Sequence, residues 1–209
     1  MLKIAIASKR TIIAAAAAVL LTVAALAAVT VTDSACVYLG YSPRKLPIYS
    51  VEREDKVVAL TFDAAWGADK TPDILSTVTE YDARATFFSV GMWAEKYPDQ
   101  LKALSDSGRF EIGTHSNTHP DMGGMSADDI DSELTLSCDI IERVTGKRPE
   151  LFRPPYGSYS DILIDEATSL GLITVQWDVD TLDWKGLSAG QIADRVLGSV
   201  RNGSIVLMH

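Results

Sequence analysis

Six short runs rich in β-formers alternate with helix-length amphipathic segments between residues 57 and 208, and no other feature narrows the fold as much. The predicted strands are Val57–Phe62, Ala85–Val90, Phe110–Gly113, Leu151–Arg153, Leu172–Trp177 and Ser204–Met208. Between them apolar residues recur at helical spacing. Ile74, Leu75, Val78 and Tyr81 form one stripe, Ile130, Leu134, Cys138 and Ile141 a second, and Ile192, Val196 and Val200 a third. Two more helices are predicted over Pro98–Ser107 and Ser160–Leu170. Terminal chemistry agrees with these helices. Thr71-Pro72, Ser126 and Ser188 read as starts, the last with Gln191 three residues on, while Gly108, Gly146 and Gly171 read as stops. Strand–helix alternation predicts an α/β fold with a parallel sheet, either open or closed into a barrel.

In both architectures the working residues gather at the C-terminal ends of the strands. Those ends carry unusual cargo here. Asp63 ends the first strand, His115 and His119 follow the third, Arg153 ends the fourth, Asp178, Asp180 and Asp183 follow the fifth, and His209 ends the sixth. The chain has only three histidines, so all of them stand at such ends.

Each cluster has a chemical and a structural reading. Histidines four apart point their imidazoles the same way on a helix or tight turn, which suits Zn²⁺, but they also suit hydrogen bonds to backbone. Two ligands stop short of the three that a catalytic metal usually takes. Asp63 offers a carboxylate, or a cap for the segment after it. Arg153, stiffened by Pro154 and Pro155, can hold a carboxylate in two-point contact, or can close a proline-rich turn. Trp177 and Trp184, set among acids, suit sugar stacking or the core. His209 is a candidate general acid, because an imidazole titrates near neutral pH.

Charge narrows the partners. Residues 54–209 hold 13 of the 19 basic and 26 of the 28 acidic residues, a net of −13. Such a domain repels phosphate backbones, which argues against nucleic acid and leaves a neutral polymer as a suitable partner. At the other end, Lys3, Lys9 and Arg10 precede an uncharged stretch, Thr11–Thr32. Positive-then-apolar order predicts a hydrophobic helix over residues 1–35, acting as a signal peptide cleaved near Ala25-Leu26-Ala27 or as an uncleaved membrane anchor. Export of the remainder follows from both. Residues 36–53, with Gly40, Pro43 and Pro47, read as a linker. Cys138 falls at an apolar helical position and is expected to be a core thiol. A disulfide to Cys36 is the alternative.

Taken together, "TFDAAWG", "HSNTH", "RPPYG", "DTLDW" and "IVLMH" resemble, in this order, the polysaccharide deacetylase family (the NodB-homology domain of carbohydrate esterases) across residues 54–209. The resemblance implies a distorted (β/α) barrel and a hydrolase acting on carbon–nitrogen bonds other than peptide bonds. It implies removal of N-acetyl groups from a glycan with the help of a divalent metal, often zinc. By motif, Asp63 takes the role of general base, His115 and His119 those of metal ligands, and Arg153 that of orienting the base. Asp183 supports His209, the general acid, while Tyr156, Pro155 and Trp184 lie along the substrate, with the Tyr156 N–H at the oxyanion. "TFDAAWG" with the N-terminal anchor looks most like spore-associated deacetylases of Gram-positive bacteria, whose implied substrate is peptidoglycan. One departure matters: Ala64 stands where the family has a second aspartate, the third metal ligand. A weakened metal site is expected, with a catalytically silent glycan-binding domain as the alternative. Related domains continue with another helix and strand, so truncation at His209 is also expected.

Overall fold

The computed structural model describes residues 18–22 and 44–209. Two units, residues 1–44 and 45–209, are described separately. In the first, residues 18–22 are helical and exposed. The rest of the predicted leader, and Cys36, lie outside the described residues. Among the described residues no helix is long and apolar enough to cross a membrane.

The second unit is a seven-stranded sheet. In chain order its strands are β1 (Ala59–Ala64), β2 (Ala85–Ser89), β3 (Phe110–Thr114), β4 (Leu151–Phe152), β5 (Ile173–Thr174), β6 (Val179–Asp180) and β7 (Ile205–Met208). They are arranged β5-β4-β3-β2-β1-β7-β6, and every named pair is parallel. Six helices connect or flank them: α1 (Thr71–Glu80), α2 (Gly91–Lys96), α3 (Pro98–Asp106), α4 (Ala127–Thr145), α5 (Asp161–Ser169) and α6 (Ala189–Leu197).

Strand period 2 gives the sheet two differently filled faces. Leu60, Phe62 and Ala64 of β1 turn toward the helices and pack with Phe87, Trp93, Leu101 and Leu104. On the other face Phe88 meets Val175 and Ile205 in a small interior cluster joined by Leu151 and Trp177. A third cluster seats α4 and α5 on β4 through Leu134, Cys138, Phe152 and Leu163. The predicted α4 stripe of Ile130, Leu134, Cys138 and Ile141 is buried throughout. Burial pushes the Cys138 thiol up to about 11, so it stays protonated as a core group.

Several local expectations change. Lys70 occupies the cap of α1 with no side-chain bond, and Thr71 is the first helical residue. Tyr81 leaves the inner stripe and is exposed, because the helix ends at Glu80. Ile192, Val196 and Val200 are only half-buried, and no residue of α6 is fully buried. The predicted strand Leu172–Trp177 shrinks to Ile173–Thr174, and β6 and α2 are additions. The capping box at Ser188 and Gln191 forms as the sequence indicates.

The stretch read as linker also contributes to the fold. Ile48 bridges to Val175 beside β5, and Ser50 bridges to Ser204 before β7. The Ile48 N–H donates to Thr174 (3.0 Å), the Gln176 N–H to Ile48 (2.7 Å), and the Val51 N–H to Gly203 (2.9 Å). This strap runs from the edge strand β5 to the start of β7, the neighbour of the other edge strand β6. The distortion of the barrel is the opening between these edge strands, covered by a few residues from the N-terminal side.

Gly203 is what lets the strap sit so close. Its φ is +78°, and a Cβ there would fall 1.7 Å from the Val51 carbonyl oxygen. Gly203→Ala should therefore destabilise the domain by about 1–3 kcal/mol or more, from backbone strain plus the clash. Urea denaturation reads this out, and an unchanged midpoint would show that the strap adds nothing.

Candidate active site

The register of three strands sets one level of the site. Asp63 of β1 pairs with Phe88 of β2, which pairs with Gly113 of β3. These positions face the sheet interior. Gly113 leaves room for the Phe88 ring, which a Cβ there would approach to 2.6 Å. Two residues further on, the same alternation turns His115 inward, one level higher. The His115 N–H still donates to Ser89 (2.9 Å), and the Arg153 N–H donates to Thr114 (3.0 Å).

Arg153 is fully buried and lies between aromatic faces, with its guanidinium carbon 4.3 Å from the Phe88 ring centre and 5.6 Å from that of Trp177. Its Nη1 donates to Thr61 Oγ1 and Asp63 Oδ1, both at 2.8 Å, and its Nη2 donates to the Gln176 carbonyl at 2.9 Å. The Thr61 hydroxyl in turn donates a hydrogen bond to the Val206 carbonyl (2.7 Å). Asp63 is thus held by Oδ1, and its Oδ2 lies 3.6 Å from His115 Nε2.

The "HSNTH" segment is a tight loop, not a helix. Ser116 and His119 both have positive φ, at 68° and 63°. Glu133 of α4 holds the loop: its carboxylate accepts from the Asn117 and Thr118 N–H groups (2.8 Å each) and from the Thr118 hydroxyl (2.7 Å). The two imidazoles end 5.0 Å apart, edge to face. His115 Nδ1 is 2.7 Å from the Arg153 carbonyl, and His119 Nδ1 is 3.2 Å from the Tyr156 hydroxyl. Both Nε2 atoms are left toward the cleft. Burial keeps both histidines below their ordinary pKa, so they are neutral at neutral pH.

That arrangement fits a divalent cation. A metal-binding histidine usually anchors its second nitrogen on a carbonyl or another polar group, as both do here. The shell is short, however. Among the described residues no group of three or more His, Cys, Asp or Glu is placed to hold a metal ion. Ala64 packs with the helix-side cluster and carries no donor atom.

His209 completes the opposite wall. Its Nδ1 is 2.7 Å from Asp183 Oδ1, and its N–H donates to Asp183 Oδ2 (2.8 Å). Burial alone would lower the His209 pKa, but the Asp183 hydrogen bond and the charges of Asp183, Asp63 and Asp180 together raise it. For Asp183, burial opposes ionisation, yet the hydrogen bonds from His209 outweigh it and the pKa falls.

A cleft of about 640 Å³ brings most of the predicted residues together: Asp63, His115, His119, Tyr156, Trp184 and His209 line it, with Trp177 and Asp180. Arg153 acts from beneath and Asp183 from behind His209. Pro154 and Pro155 are both buried, and of the two Pro154 lines the cleft, ahead of a Tyr156 with φ = 60°. Asp178 is structural, accepting from Ser204 Oγ (3.0 Å) and the Ile205 N–H (2.8 Å). Thr61, Gln176, Glu133 and Trp66 were not singled out by sequence. Thr61 had a visible signal, a polar residue two before Asp63 in an apolar strand, and Trp66 stood inside a quoted motif.

The description "Polysaccharide deacetylase" belongs to the family model that matches residues 50–175. A peptidoglycan-N-acetylglucosamine deacetylase of Bacillus cereus is 38% identical over 152 residues, covering 73% of this chain and 55% of its own. The crystal structure of a CE4 family pseudoenzyme from Bacillus anthracis is similar with a TM-score of 0.76 at 37% identity, covering 80% of this chain and 59% of its own. A mutant of that pseudoenzyme with restored enzymatic activity matches at the same TM-score and 38% identity, covering 80% of this chain and 61% of its own. The chain spans from a third to about half of the length of the curated relatives first matched.

The His209–Asp183 pair has a definite pH signature. The raised His209 pKa contributes stability that is complete below its unfolded value, near 6.5, and is lost as pH rises through the folded value. The lowered Asp183 pKa contributes stability present above about 4 and lost as pH falls through its folded value. The pair therefore helps most between about pH 4 and 6.5. In an NMR titration, His209 should titrate above 6.5 in the native protein and at lower pH in Asp183→Asn. An equal midpoint in both proteins would dissolve the pairing.

Proposed function

The chain belongs to the polysaccharide deacetylase family, and on that premise we propose that it hydrolyses N-acetyl groups on a cell-wall polysaccharide, peptidoglycan in the first instance. One observation carries the reading: a single cleft joins a carboxylate fixed by a buried arginine, two neutral imidazoles, and an imidazole whose pKa a carboxylate raises. These are the parts that amide hydrolysis needs.

His115 and His119 would hold a divalent cation, zinc being suited to neutral nitrogen donors. When bound, such a cation supplies Lewis-acid polarisation of the acetyl carbonyl and lowers the pKa of a nearby water. The chain's own groups do the rest. Asp63 Oδ2 takes the proton of the attacking water, while Arg153 keeps Oδ1 fixed. The Tyr156 N–H, at the cleft wall, donates to the developing oxyanion. As the carbon–nitrogen bond breaks, His209 gives its proton to the leaving amine, held in place by Asp183. Acetate and a free amine on the sugar are the products.

A second reading keeps the glycan and drops the chemistry. Ala64 favours it, since a two-histidine shell is one ligand short, and so does the likeness to a pseudoenzyme. In both readings Lys3, Lys9 and Arg10 ahead of residues 11–32 support export behind a signal or anchor, with the deacetylase-family domain at 54–209 outside the membrane. "TFDAAWG" supports a setting in sporulation.

Acetate release from N-acetylated muropeptides, with Zn²⁺ and with chelator, separates the two. The hydrolase reading expects release that needs Zn²⁺ and vanishes in His115→Ala, together with zinc binding. Unchanged release in His115→Ala would reject the histidine-held cation. Glycan binding without acetate under any metal would select the second reading.

A further inference from the structure

Trp66 lies between β1 and α1, at the mouth of the cleft. It is 76% exposed, more than any other large apolar side chain among the described residues, and its ring is 6.1 Å from that of His119. An indole held in water forgoes one of the largest burials open to a side chain. Its neighbours explain how it is held there. Ala65 and Ala68 turn inward and pack on the helix-side cluster. The buried Trp93 donates its indole N–H to the Gly67 carbonyl. Gly67 sits at φ = +67°, a backbone state that favours glycine, and the Thr71 N–H closes onto Ala68 at 3.2 Å. The turn is therefore pinned from inside and presents Trp66 outward, next to His119.

Two other exposed aromatics stand at the same mouth on separate loops, Tyr156 and Trp184, respectively 70% and 64% exposed. Aromatic faces on three loops around a polar floor suit a ligand with apolar faces and polar edges. A pyranose is such a ligand, with its axial C–H groups on the faces and its hydroxyls at the rim. A neutral one also suits a domain of net charge −13.

We infer that Trp66 is a stacking platform for a sugar ring of the glycan chain beside the unit being deacetylated. The inference rests on the glycan reading of the cleft. It makes binding depend on chain length, since a single sugar at the floor gains nothing from a platform at the rim.

Isothermal titration with chitohexaose and with single N-acetylglucosamine tests this. Trp66→Ala should weaken the hexamer about tenfold, the loss of about 1.4 kcal/mol, and leave the monosaccharide unchanged. Trp66→Phe should keep most of the affinity. Trp93→Phe, which keeps the core ring but removes the pin, should fall between, at an unchanged melting temperature for the exposed Trp66 variants. Equal hexamer affinity in native protein and Trp66→Ala, or no hexamer binding by the native protein, overturns the platform. Acetate release is scored separately. Native protein that binds hexamer through Trp66 yet frees no acetate from muropeptides leaves the platform standing and removes only the hydrolase reading.

Discussion

A guanidinium buried among aromatic rings organises this domain. Arg153 directly follows β4, and its partner Asp63 belongs to β1. In the sheet these strands are three spacings apart, about 14 Å if the sheet were flat. An arginine side chain does not extend that far. The 2.8 Å contacts to Thr61 and Asp63 therefore require the sheet to curl, and Phe88 and Trp177 fill the concave side around the charge. Removing a charge from water costs several kcal/mol, which hydrogen-bond acceptors offset. Asp63, Thr61 and Gln176 accept from its two terminal nitrogens, while its buried Nε has no partner among the described residues, so the residue that spans the sheet also fixes the carboxylate at its centre.

The rest of the cleft follows from the parallel arrangement. Every strand delivers its C-terminal end to one edge, and the loops there bend sharply. Ser116, His119, Tyr156 and Leu182 all hold positive φ without being glycine. Strain of this kind persists only where surrounding contacts over-determine it, as Glu133 does for the histidine loop. The exception to this order is Ala64, where the alternation of β1 leaves a methyl group against the helix layer. The cleft thus holds Asp63, His115, His119 and His209, while Ala64 offers it no donor atom.

Much of this was legible in the chain. The long helix α4 announced itself through Ser126, four apolar positions and Gly146, because local capping and burial agree there. Asp63, His115, Arg153 and His209 stood out because polar residues at the ends of apolar runs have few structural uses. What stayed hidden depends on distant partners. β6 is two residues in an acid-rich stretch, and only pairing with β7 makes it a strand. The strap around Ile48 has no period of its own and is defined by β5 and Gly203. α2 is short, and its first N–H groups are taken by the Ser116 and Asn117 carbonyls, 25 residues away in sequence. The left-handed turn at Tyr156 cannot be read from "RPPYG".

On the proposed reading, the curled sheet leaves the two histidines facing one cation position with Asp63 beside it. A zinc-edge anomalous difference map from crystals grown with Zn²⁺ tests it most directly. The account predicts a peak shared by the Nε2 atoms of His115 and His119, on the Asp63 side of the cleft. Zinc found only elsewhere, with that position blank at high zinc concentration, would contradict it.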